Sequence, residues 1–311
     1  MTRAACIGEC MIELSELPDG RFERAYGGDT LNAAVYMARL GVRVDYVTAL
    51  GDDCFSEEMI AAWRAEGIGT GLVACLPGRL PGLYIIQTDA AGERRFSYWR
   101  DSAPARDLFK IAETPAIVEA LTEYDLIFFS GITLSLYDEA GRACLFEAVD
   151  RARARGARIA FDTNFRPRGW PDRRMAQEAF RQAFERADVV LASTEDLELL
   201  FGGADPAAVL FERPFAELVI KQSGPVCRVV AAGGVDQVVS AKPAARVIDT
   251  TAAGDSFAAA YLARRFGGAD PVSAAEAGHA LAGIKIGYRG AIMPRSAMPA
   301  TLLENLRTVQ A

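Results

Sequence analysis

Near its C-terminal end the chain reads Asp249-Thr250-Thr251-Ala252-Ala253-Gly254-Asp255-Ser256-Phe257. A short β-favouring run, Ala245-Arg246-Val247-Ile248, precedes this stretch, and apolar residues with helical spacing follow it as far as Gly267-Gly268. The pattern predicts a strand, a tight turn and a helix that begins among small residues. Small residues let backbone amides approach a ligand closely, and the positive end of the helix dipole favours an anion. The stretch therefore predicts an anion site.

One carboxylate, Asp255, stands beside this predicted anion site. Two neighbouring anions repel, so the pairing makes sense where the carboxylate takes a proton from a hydroxyl that attacks a phosphoryl group. The alternative is that Asp255 only caps its helix, as aspartate commonly does. An isolated turn of this kind would favour the cap. The full nine-residue pattern and its partners elsewhere in the chain favour the base of a small-molecule kinase.

The nine residues resemble the C-terminal signature of the ribokinase-like (PfkB) family of carbohydrate kinases, Asp-Thr-x-Gly-Ala-Gly-Asp-x-Phe, with Ala252 in place of the first glycine. Further segments extend the resemblance in order along nearly the whole chain. They are similar to those members of the family that act on 2-keto-3-deoxy sugar acids. These segments are Ile7–Ser15, Gly27–Asn32, Leu80–Tyr84, Tyr98–Arg100 and Tyr288–Ile292.

The resemblance implies transfer of a phosphoryl group from ATP to the terminal C6 hydroxyl of 2-keto-3-deoxy-D-gluconate, giving 2-keto-3-deoxy-6-phosphogluconate. Asp255 would be the catalytic base, and the amides of Ala252, Ala253 and Gly254 would stabilise the transferring group. The same fold acting on 2-keto-3-deoxygalactonate, fructose or ribose is one alternative, and a non-catalytic sugar-acid sensor is another. An NAD-binding enzyme is disfavoured because no Gly-x-Gly-x-x-Gly follows the first predicted strand.

Composition disfavours several other classes of protein. The 311 residues are 51% apolar, and no apolar run approaches the length of a membrane span. The net charge of −7 argues against a nucleic-acid partner, because that affinity depends on Lys and Arg. A single histidine, His279, leaves no His-based triad or metal site. Six scattered cysteines and a start without signal-peptide features predict buried thiols in a reducing cytoplasm.

Apolar strands alternate with amphipathic helices, which predicts a mostly parallel sheet covered on both faces. The resemblance implies the corresponding family fold, a three-layer α/β/α sandwich, with 1–311 as a single kinase domain. The predicted strands are Ala4–Met11, Val44–Leu50, Leu126–Ser130, Arg158–Asp162, Val189–Ala192, Leu218–Lys221 and Cys227–Ala231. The predicted helices are Thr30–Leu40, Ser56–Glu66, Asp138–Arg155, Met175–Arg186, Thr194–Phe201, Asp255–Phe266 and Pro271–Tyr288.

Two segments, 12–27 and 82–101, break this alternation. They are richer in charged and aromatic residues and alternate with period two, and Asp89-Ala90-Ala91-Gly92 predicts a hairpin turn within the second. They could form edge strands of the main sheet. The family resemblance implies instead a small β-sheet lid over the active site.

Sugar-binding residues are predicted at the start of the first helix and in the lid. Gly28 frees space and backbone groups, while Asp29 and Asn32 offer polar atoms to sugar hydroxyls; the alternative is that Asp29 only caps the helix and Asn32 is exposed. A keto acid needs a cation and hydrogen-bond donors at its carboxylate end. The resemblance assigns this task to Tyr84, Tyr98, Arg100 and Arg166.

Nucleotide-binding residues are predicted where strands end, the usual place for ligands in a parallel sheet. The resemblance places the following near ATP: Asn164, Ser193, Lys221, Ser223, Gly224, Ala252, Ala253 and Gly254. Ser193 with Asp196 also suits ordinary helix capping. The resemblance places small residues such as Gly283 and Gly287 around the adenine, although tight helix packing would use the same residues.

The resemblance also implies Mg²⁺, which would arrive with ATP and be held mostly by phosphates and water, not by a dedicated protein cage. Asp249 and Thr251 resemble the monovalent-cation site of some relatives, so K⁺ is a further candidate. By analogy with relatives, the lid could join copies of the chain in a homo-oligomer. The expected partners are thus the small-molecule substrate, ATP and a second copy of the chain.

Overall fold

The structure is a computed structural model that describes residues 2–17, 19–88, 94–203, 205–212, 216–299 and 301–302. The strands are β1 (Arg3–Ile7), β2 (Met11–Glu16), β3 (Phe22–Gly27), β4 (Arg43–Leu50), β5 (Gly69–Cys75), β6 (Leu83–Thr88), β7 (Arg94–Trp99), β8 (Leu126–Ser130), β9 (Arg158–Asp162), β10 (Val189–Ser193), β11 (Glu217–Lys221), β12 (Val226–Ala231) and β13 (Val235–Ser240).

Helices connect most of the strands. They are α1 (Asp29–Arg39), α2 (Cys54–Ala65), α3 (Thr114–Leu121), α4 (Gly131–Leu136), α5 (Glu139–Ala154), α6 (Arg173–Arg186), α7 (Thr194–Leu200), α8 (Ala208–Phe211), α9 (Ala253–Phe266) and α10 (Pro271–Lys285).

The large sheet has the strand order β13-β12-β11-β10-β9-β8-β1-β4-β5. The strands from β11 to β5 are parallel to their neighbours, while β12 and β13 are antiparallel additions at one edge. The chain enters at β1, moves outward to β4 and β5, and then returns to β8 on the other side of β1. This reversal of direction opens a crevice at the carboxyl ends of β1 and β8, where ligands of open α/β sheets usually bind.

Each face of this sheet is covered by helices. In β1, Ala4 and Cys6 pack in one apolar cluster with α1, α2, α9 and α10, while Ala5 and Ile7 pack in a second cluster with α3 to α8. A strand buried on both faces carries an unbroken apolar run, as the sequence of β1 does. The expected three-layer α/β/α sandwich with a mostly parallel sheet is confirmed.

The segments that interrupt the alternation form a separate four-stranded sheet, so the edge-strand alternative is wrong. Its order is β3-β2-β6-β7, with β2 and β6 parallel and the outer pairs antiparallel. Met11, Tyr84 and Ile86 form its small buried cluster, with Phe96 packed against it. The predicted turn Asp89–Gly92 lies outside the described residues.

Two predicted strands are wrong. The run Ala4–Met11 divides at 8–10, so β1 joins the large sheet and β2 the small one, because the chain changes sheets there. Ala245–Ile248 is not a strand. The amide of Ile248 donates to Ile286 O at the end of α10 (2.8 Å), so this segment is anchored to a helix and not to a sheet edge.

The prediction of buried thiols holds for only part of the cysteines. Cys6, Cys10 and Cys227 are buried, whereas Cys54 and Cys75 are exposed. All six cysteines are free. Among the helices that the structure describes, none is both long and apolar enough to cross a membrane.

Candidate active site

The start of α9 lies at the crevice and carries the strained backbone of the site. Ala252 adopts the left-handed conformation (φ 58°, ψ 18°) just before the helix begins. This is the position that holds glycine in the usual family signature, and a side chain there is sterically unfavourable. Ala253 N donates to Thr250 O (3.2 Å), whereas the amides of Ala252 and Gly254 donate to no acceptor within the described residues.

Asp255 lies in the first turn of α9 and does not cap the helix, because the cap position is Ala252 and makes no side-chain hydrogen bond. Its Oδ2 instead accepts from Asn32 Nδ2 of α1 (2.8 Å). The pKa of Asp255 is raised to about 7, mainly by burial and in addition by the Asp29 and Asp162 carboxylates, while Asn32 and Lys221 oppose the shift. Such a carboxyl exchanges a proton near neutral pH, as a general base must.

Asp29 is the first residue of α1 and its side chain does not cap that helix either, because the cap is Gly28. Its Oδ2 accepts from Ser130 Oγ at the end of β8 and from Asn164 Nδ2 (2.8 Å). Asn164 has a positive φ of 26°, a conformation that asparagine tolerates better than most residues. The predicted sugar-side residue Asp29 and the predicted nucleotide-side residue Asn164 are therefore in direct contact.

Gly28 is required by close packing. A Cβ added there would lie 2.0 Å from the carbonyl oxygen of Glu9, in the connection between β1 and β2. No side chain fits at that distance. The glycine thus lets the start of α1 approach the end of β1, which brings Asp29 and Asn32 into the crevice.

Lys221, at the end of β11, supplies the positive charge beside α9. Its Nζ donates to Asp162 Oδ2 (2.8 Å), and a Cβ added at Gly254 would lie 3.7 Å from the same Nζ. Burial lowers the pKa of Lys221, but the carboxylates of Asp162, Asp196 and Asp255 outweigh burial and raise it overall. The ammonium therefore remains charged next to the helix start, where a phosphate would bind.

Ser193 and Asp196 combine the capping arrangement with a second contact. Ser193 Oγ caps α7 by accepting from Asp196 N (3.1 Å), as the capping alternative predicts. The Asp196 carboxylate instead accepts from Thr163 Oγ1 (2.7 Å) and pairs with Arg166 (3.5 Å). Among the described residues, no hydrogen bond or ion pair joins Arg166 to the small sheet. The structure thus groups Arg166 with the nucleotide-side residues.

In the small sheet, Tyr84 and Tyr98 are cross-strand partners whose ring centroids lie 5.8 Å apart. The Tyr84 hydroxyl donates to the buried carboxylate of Glu13, and Tyr98 is 44% exposed. Gly27 leaves room for the Tyr84 ring beside Glu13, since a Cβ added at Gly27 would lie 2.5 Å from the Tyr84 hydroxyl oxygen. The two phenols therefore share one face of the sheet, with Glu13 as a polar neighbour.

Arg100 follows β7 and pairs with the carboxylate of Glu9, which is 2% exposed. Burial raises the pKa of Glu9, and Arg100 is the main opposing influence. Within the part of the chain that the structure describes, one oxygen of Glu9 and Nε of Arg100 are buried without a hydrogen-bond partner. The pair attaches the end of the small sheet to the connection that leads from β1, and it leaves polar capacity for a ligand.

Beside the loop before α9 lies a cavity of about 650 Å³, a size typical of ligand pockets. Arg246, His279, Gly283 and Gly287 contribute to its lining, which includes two of the small residues expected around the adenine. Ser223 and Gly224 are exposed in the turn between β11 and β12, where Gly224 has φ 76°. Neither of these two residues lines the cavity.

Asp249 organises the loop that leads to α9. Its carboxylate accepts from Thr251 N and Gly290 N, each at 2.8 Å, and its carbonyl accepts from Lys285 Nζ (2.9 Å). Burial alone would raise the pKa of Asp249, but these hydrogen bonds and the Lys285 ammonium lower it. No group of three or more His, Cys, Asp or Glu side chains arranged to hold a metal occurs in the described part of the chain.

Several residues of the site are not singled out by the sequence. Ser130, Asp162, Glu9, Glu13 and Lys285 all contact predicted site residues. Ser130 and Asp162 had a usable signal, because each is the polar last residue of an apolar strand and such strand ends converge on the crevice. The contacts of Glu9, Glu13 and Lys285 join distant parts of the chain and leave no local pattern.

Comparisons with known proteins agree with this geometry. The chain is 43% identical over 307 residues to a 2-dehydro-3-deoxygluconokinase of Escherichia coli K12, covering 96% of this chain and 99% of the relative. A fructokinase with bound ATP from Xylella fastidiosa has a TM-score of 0.81 at 25% identity, over 99% of this chain and 98% of that one. A 2-dehydro-3-deoxygluconokinase from Thermotoga maritima has a TM-score of 0.80 at 23% identity, over 99% and 100%.

The model of one protein family, described as pfkB family carbohydrate kinase, matches residues 1–298. The match contains β1, the small sheet, the crevice residues Asp29 and Lys221, and the start of α9 with Asp255. This chain is therefore a member of the pfkB family of carbohydrate kinases.

Proposed function

We propose that the chain transfers the terminal phosphoryl group of ATP to the C6 hydroxyl of 2-keto-3-deoxy-D-gluconate. The observation that carries the proposal is the Asp255 carboxyl, which accepts from Asn32 at the start of α9 and has a pKa of about 7. The E. coli relative that is named for this substrate supports the choice of sugar acid.

The chemistry needs a base and stabilisation of negative charge. Asp255 takes the proton of the C6 hydroxyl through the carboxylate oxygen that does not accept from Asn32. The hydroxyl oxygen bonds to the γ-phosphorus as the bond between that phosphorus and the bridging oxygen breaks, which releases ADP. The amides of Ala252 and Gly254 and the Lys221 ammonium stabilise the charge of the transferring group.

ATP would lie from the cavity beside Gly283 and Gly287 to the start of α9, within reach of Lys221. The size of the cavity and its continuity with the loop through Arg246 support this placement. Mg²⁺ would neutralise phosphate charge when bound, with Asp162 and Asp196, which lie near Lys221, as carboxylates that could hold its water ligands. Asn164, Ser193, Ser223 and Gly224 would complete the nucleotide side.

The sugar acid would lie between the small sheet and the crevice. Asp29 and Asn32 would hold its hydroxyl groups, and Arg100 its carboxylate, with Tyr84 and Tyr98 as neighbouring phenols. Arg166 would contribute from the nucleotide side of the crevice. The small sheet would act as a lid that excludes water, which limits hydrolysis of ATP.

A panel of acceptors tests the proposal. Coupled ADP-release assays should show the highest kcat/KM with 2-keto-3-deoxy-D-gluconate, compared with 2-keto-3-deoxygalactonate, gluconate, fructose and ribose. A preference for fructose or ribose would replace the proposed substrate but keep the phosphotransfer. Absence of ATP turnover with every acceptor, together with measurable sugar-acid binding, would instead favour a sensor.

We also propose that the chain forms a homo-oligomer through exposed aromatic residues of the small sheet. Trp99 and Phe22 lie on the face opposite Tyr84 and are 60% and 47% exposed, which supports a protein contact there. Sedimentation should give a mass that is a multiple of 33.5 kDa. The double variant Phe22→Ser with Trp99→Ser should sediment as a monomer, and an unchanged mass would exclude this face.

A further inference from the structure

Lys285 is the last residue of α10 and has no exposed surface at all. An ammonium is costly to remove from water unless other groups of the protein replace its hydration. Here Nζ donates to the carbonyl oxygen of Asp249 at 2.9 Å, three residues before Ala252, the first of the small residues at the start of α9. A buried cation is thus aimed at the backbone of the loop that shapes the proposed phosphate site.

The end of α10 holds the same peptide units in other ways. The carbonyl of Ile286 accepts from Ile248 N (2.8 Å) and from Asp249 N (3.1 Å). Both the amide and the carbonyl of Asp249 are therefore bound by consecutive residues, Lys285 at the end of α10 and Ile286 directly after it. The position also favours a cation, because Lys285 lies where the helix dipole is negative.

From this anchor the loop turns into α9. The Asp249 carboxylate accepts from Thr251 N and Gly290 N, and Ala252 then adopts a left-handed backbone that alanine disfavours. A strained conformation persists only where surrounding contacts impose it. The contacts to Asp249, including that of Lys285, are the ones that fix the residues immediately before the strained position.

We propose that Lys285 is a positioning residue for phosphotransfer, a covalently attached cation that holds the loop 249–252 in place. It does for this chain what a bound monovalent cation would otherwise have to do at the same carbonyl. The inference rests on the proposed phosphotransfer, because its consequence is the orientation of the amides of Ala252 and Gly254 toward the phosphoryl group. Turnover of the natural chain is therefore independent of K⁺.

The first test compares salts on the unaltered protein. With the assay at constant ionic strength, kcat in KCl, NaCl and tetramethylammonium chloride should agree within about 2-fold, since no dissolved ion is needed at the carbonyl. A kcat that rises steeply with K⁺ over tetramethylammonium would overturn the inference. This arm needs no variant, so it decides the question even if substitutions at Lys285 do not fold.

The second test removes the charge. Lys285→Met keeps an unbranched side chain that ends where the ammonium is attached and cannot donate, so kcat should fall about 10- to 100-fold through misorientation of the loop, with KM for the sugar acid within about 3-fold. K⁺ or NH₄⁺ at high concentration should restore part of kcat, because a small cation can enter the space that the ammonium leaves. Lys110→Met, at an exposed ion pair with Asp138, is the matched control and should be unaffected by these ions.

A merely structural lysine would give a different pattern. If Lys285→Met lost stability but kept kcat, or if no small cation restored turnover, the inference would be overturned. Failure of the proposed phosphotransfer is separable by calorimetry of a non-hydrolysable ATP analogue, which binds without turnover. Equal affinity in KCl and tetramethylammonium chloride supports the built-in cation, and affinity that depends on K⁺ contradicts it.

Discussion

The start of α9 and the small sheet are built in different ways, although both face the same crevice. The helix is backed by fully packed core, since Phe257 to Ala263 are each at most 3% exposed. The small sheet has a buried cluster of three residues on one face, Met11, Tyr84 and Ile86; Tyr84 there donates to Glu13, and Arg100 at the end of the sheet pairs with Glu9. The comparison indicates that the proposed base lies on a rigid support, while the proposed sugar-binding side chains lie on a small cluster with paired polar groups.

If this division holds, substitutions in the two regions should affect different kinetic constants. Asp255→Asn keeps the size of the side chain and removes the base, so kcat should fall roughly 10²- to 10⁴-fold with little change in KM. Steady-state kinetics with the sugar acid measures both constants. Asp150→Asn, which removes a surface partner of Arg186, is the control. Near-normal turnover of Asp255→Asn would show that another group is the base.

Substitutions in the small sheet should mainly change KM for the sugar acid. Arg100→Met removes the proposed carboxylate partner, and charged hydrogen bonds of about 1.5–3 kcal/mol correspond to a KM about 10- to 100-fold higher. It also leaves Glu9 buried without its cation, so thermal stability should fall. Adding Glu9→Gln to Arg100→Met should recover the stability but not the affinity. Recovery of both by the double variant would mean that Arg100 only balances Glu9.

The pH dependence of kcat/KM should reflect the titration of Asp255 at the start of α9. Because the pKa of Asp255 is about 7, the carboxyl becomes protonated below that pH and can no longer accept the proton of the hydroxyl. The value of kcat/KM should therefore decrease toward about 10-fold per pH unit below 7 and level off above it. Rate profiles from pH 5 to 9 measure this limb, and the residual activity of Asp255→Asn should lack it. A limb near pH 4 would contradict the raised pKa.

The smallest expected effect concerns the backbone at the junction. The left-handed conformation at position 252 costs alanine about 1–2 kcal/mol, and Ala252→Gly removes this cost. The glycine also raises the conformational entropy of the unfolded chain, which offsets about 0.4–1 kcal/mol of the gain. The free energy of unfolding in urea should thus increase by up to about 1 kcal/mol. Ala253→Gly, one residue into α9, should decrease it by a similar amount. A loss of stability in Ala252→Gly would mean that the loop does not impose the strain.

Sequence patterns predict the elements well where burial is uniform. Leu126–Ser130 and Arg158–Asp162 match β8 and β9 residue for residue, because short apolar runs of this length bounded by polar residues favour buried central strands. The same reasoning fails at 8–10, where an apolar run passes from one sheet to another. It also misses β13, whose residues are mostly exposed at the sheet edge.

The candidate site residues can be proposed from the sequence by type, but their contacts with one another cannot. The small residues at the start of α9 and the polar residues at strand ends carry local signals. The contacts Asn164 to Asp29, Glu9 to Arg100 and Lys285 to Asp249 join segments 135, 91 and 36 residues apart. Such pairs depend on the order of the strands in the sheet, and local sequence patterns do not predict that order.

The hydrogen bond from Asn32 to Asp255 spans 223 residues of sequence. During synthesis at roughly 5–20 residues per second, Asp255, the proposed base, would leave the ribosome about 10 to 45 seconds after Asn32. The proposed sugar-binding residues of α1 are therefore synthesised well before the chain contains the residue that phosphotransfer from ATP requires. Proteolytic loss of the last sixty residues should likewise remove Asp255 and abolish phosphotransfer. A truncated chain would therefore not consume ATP.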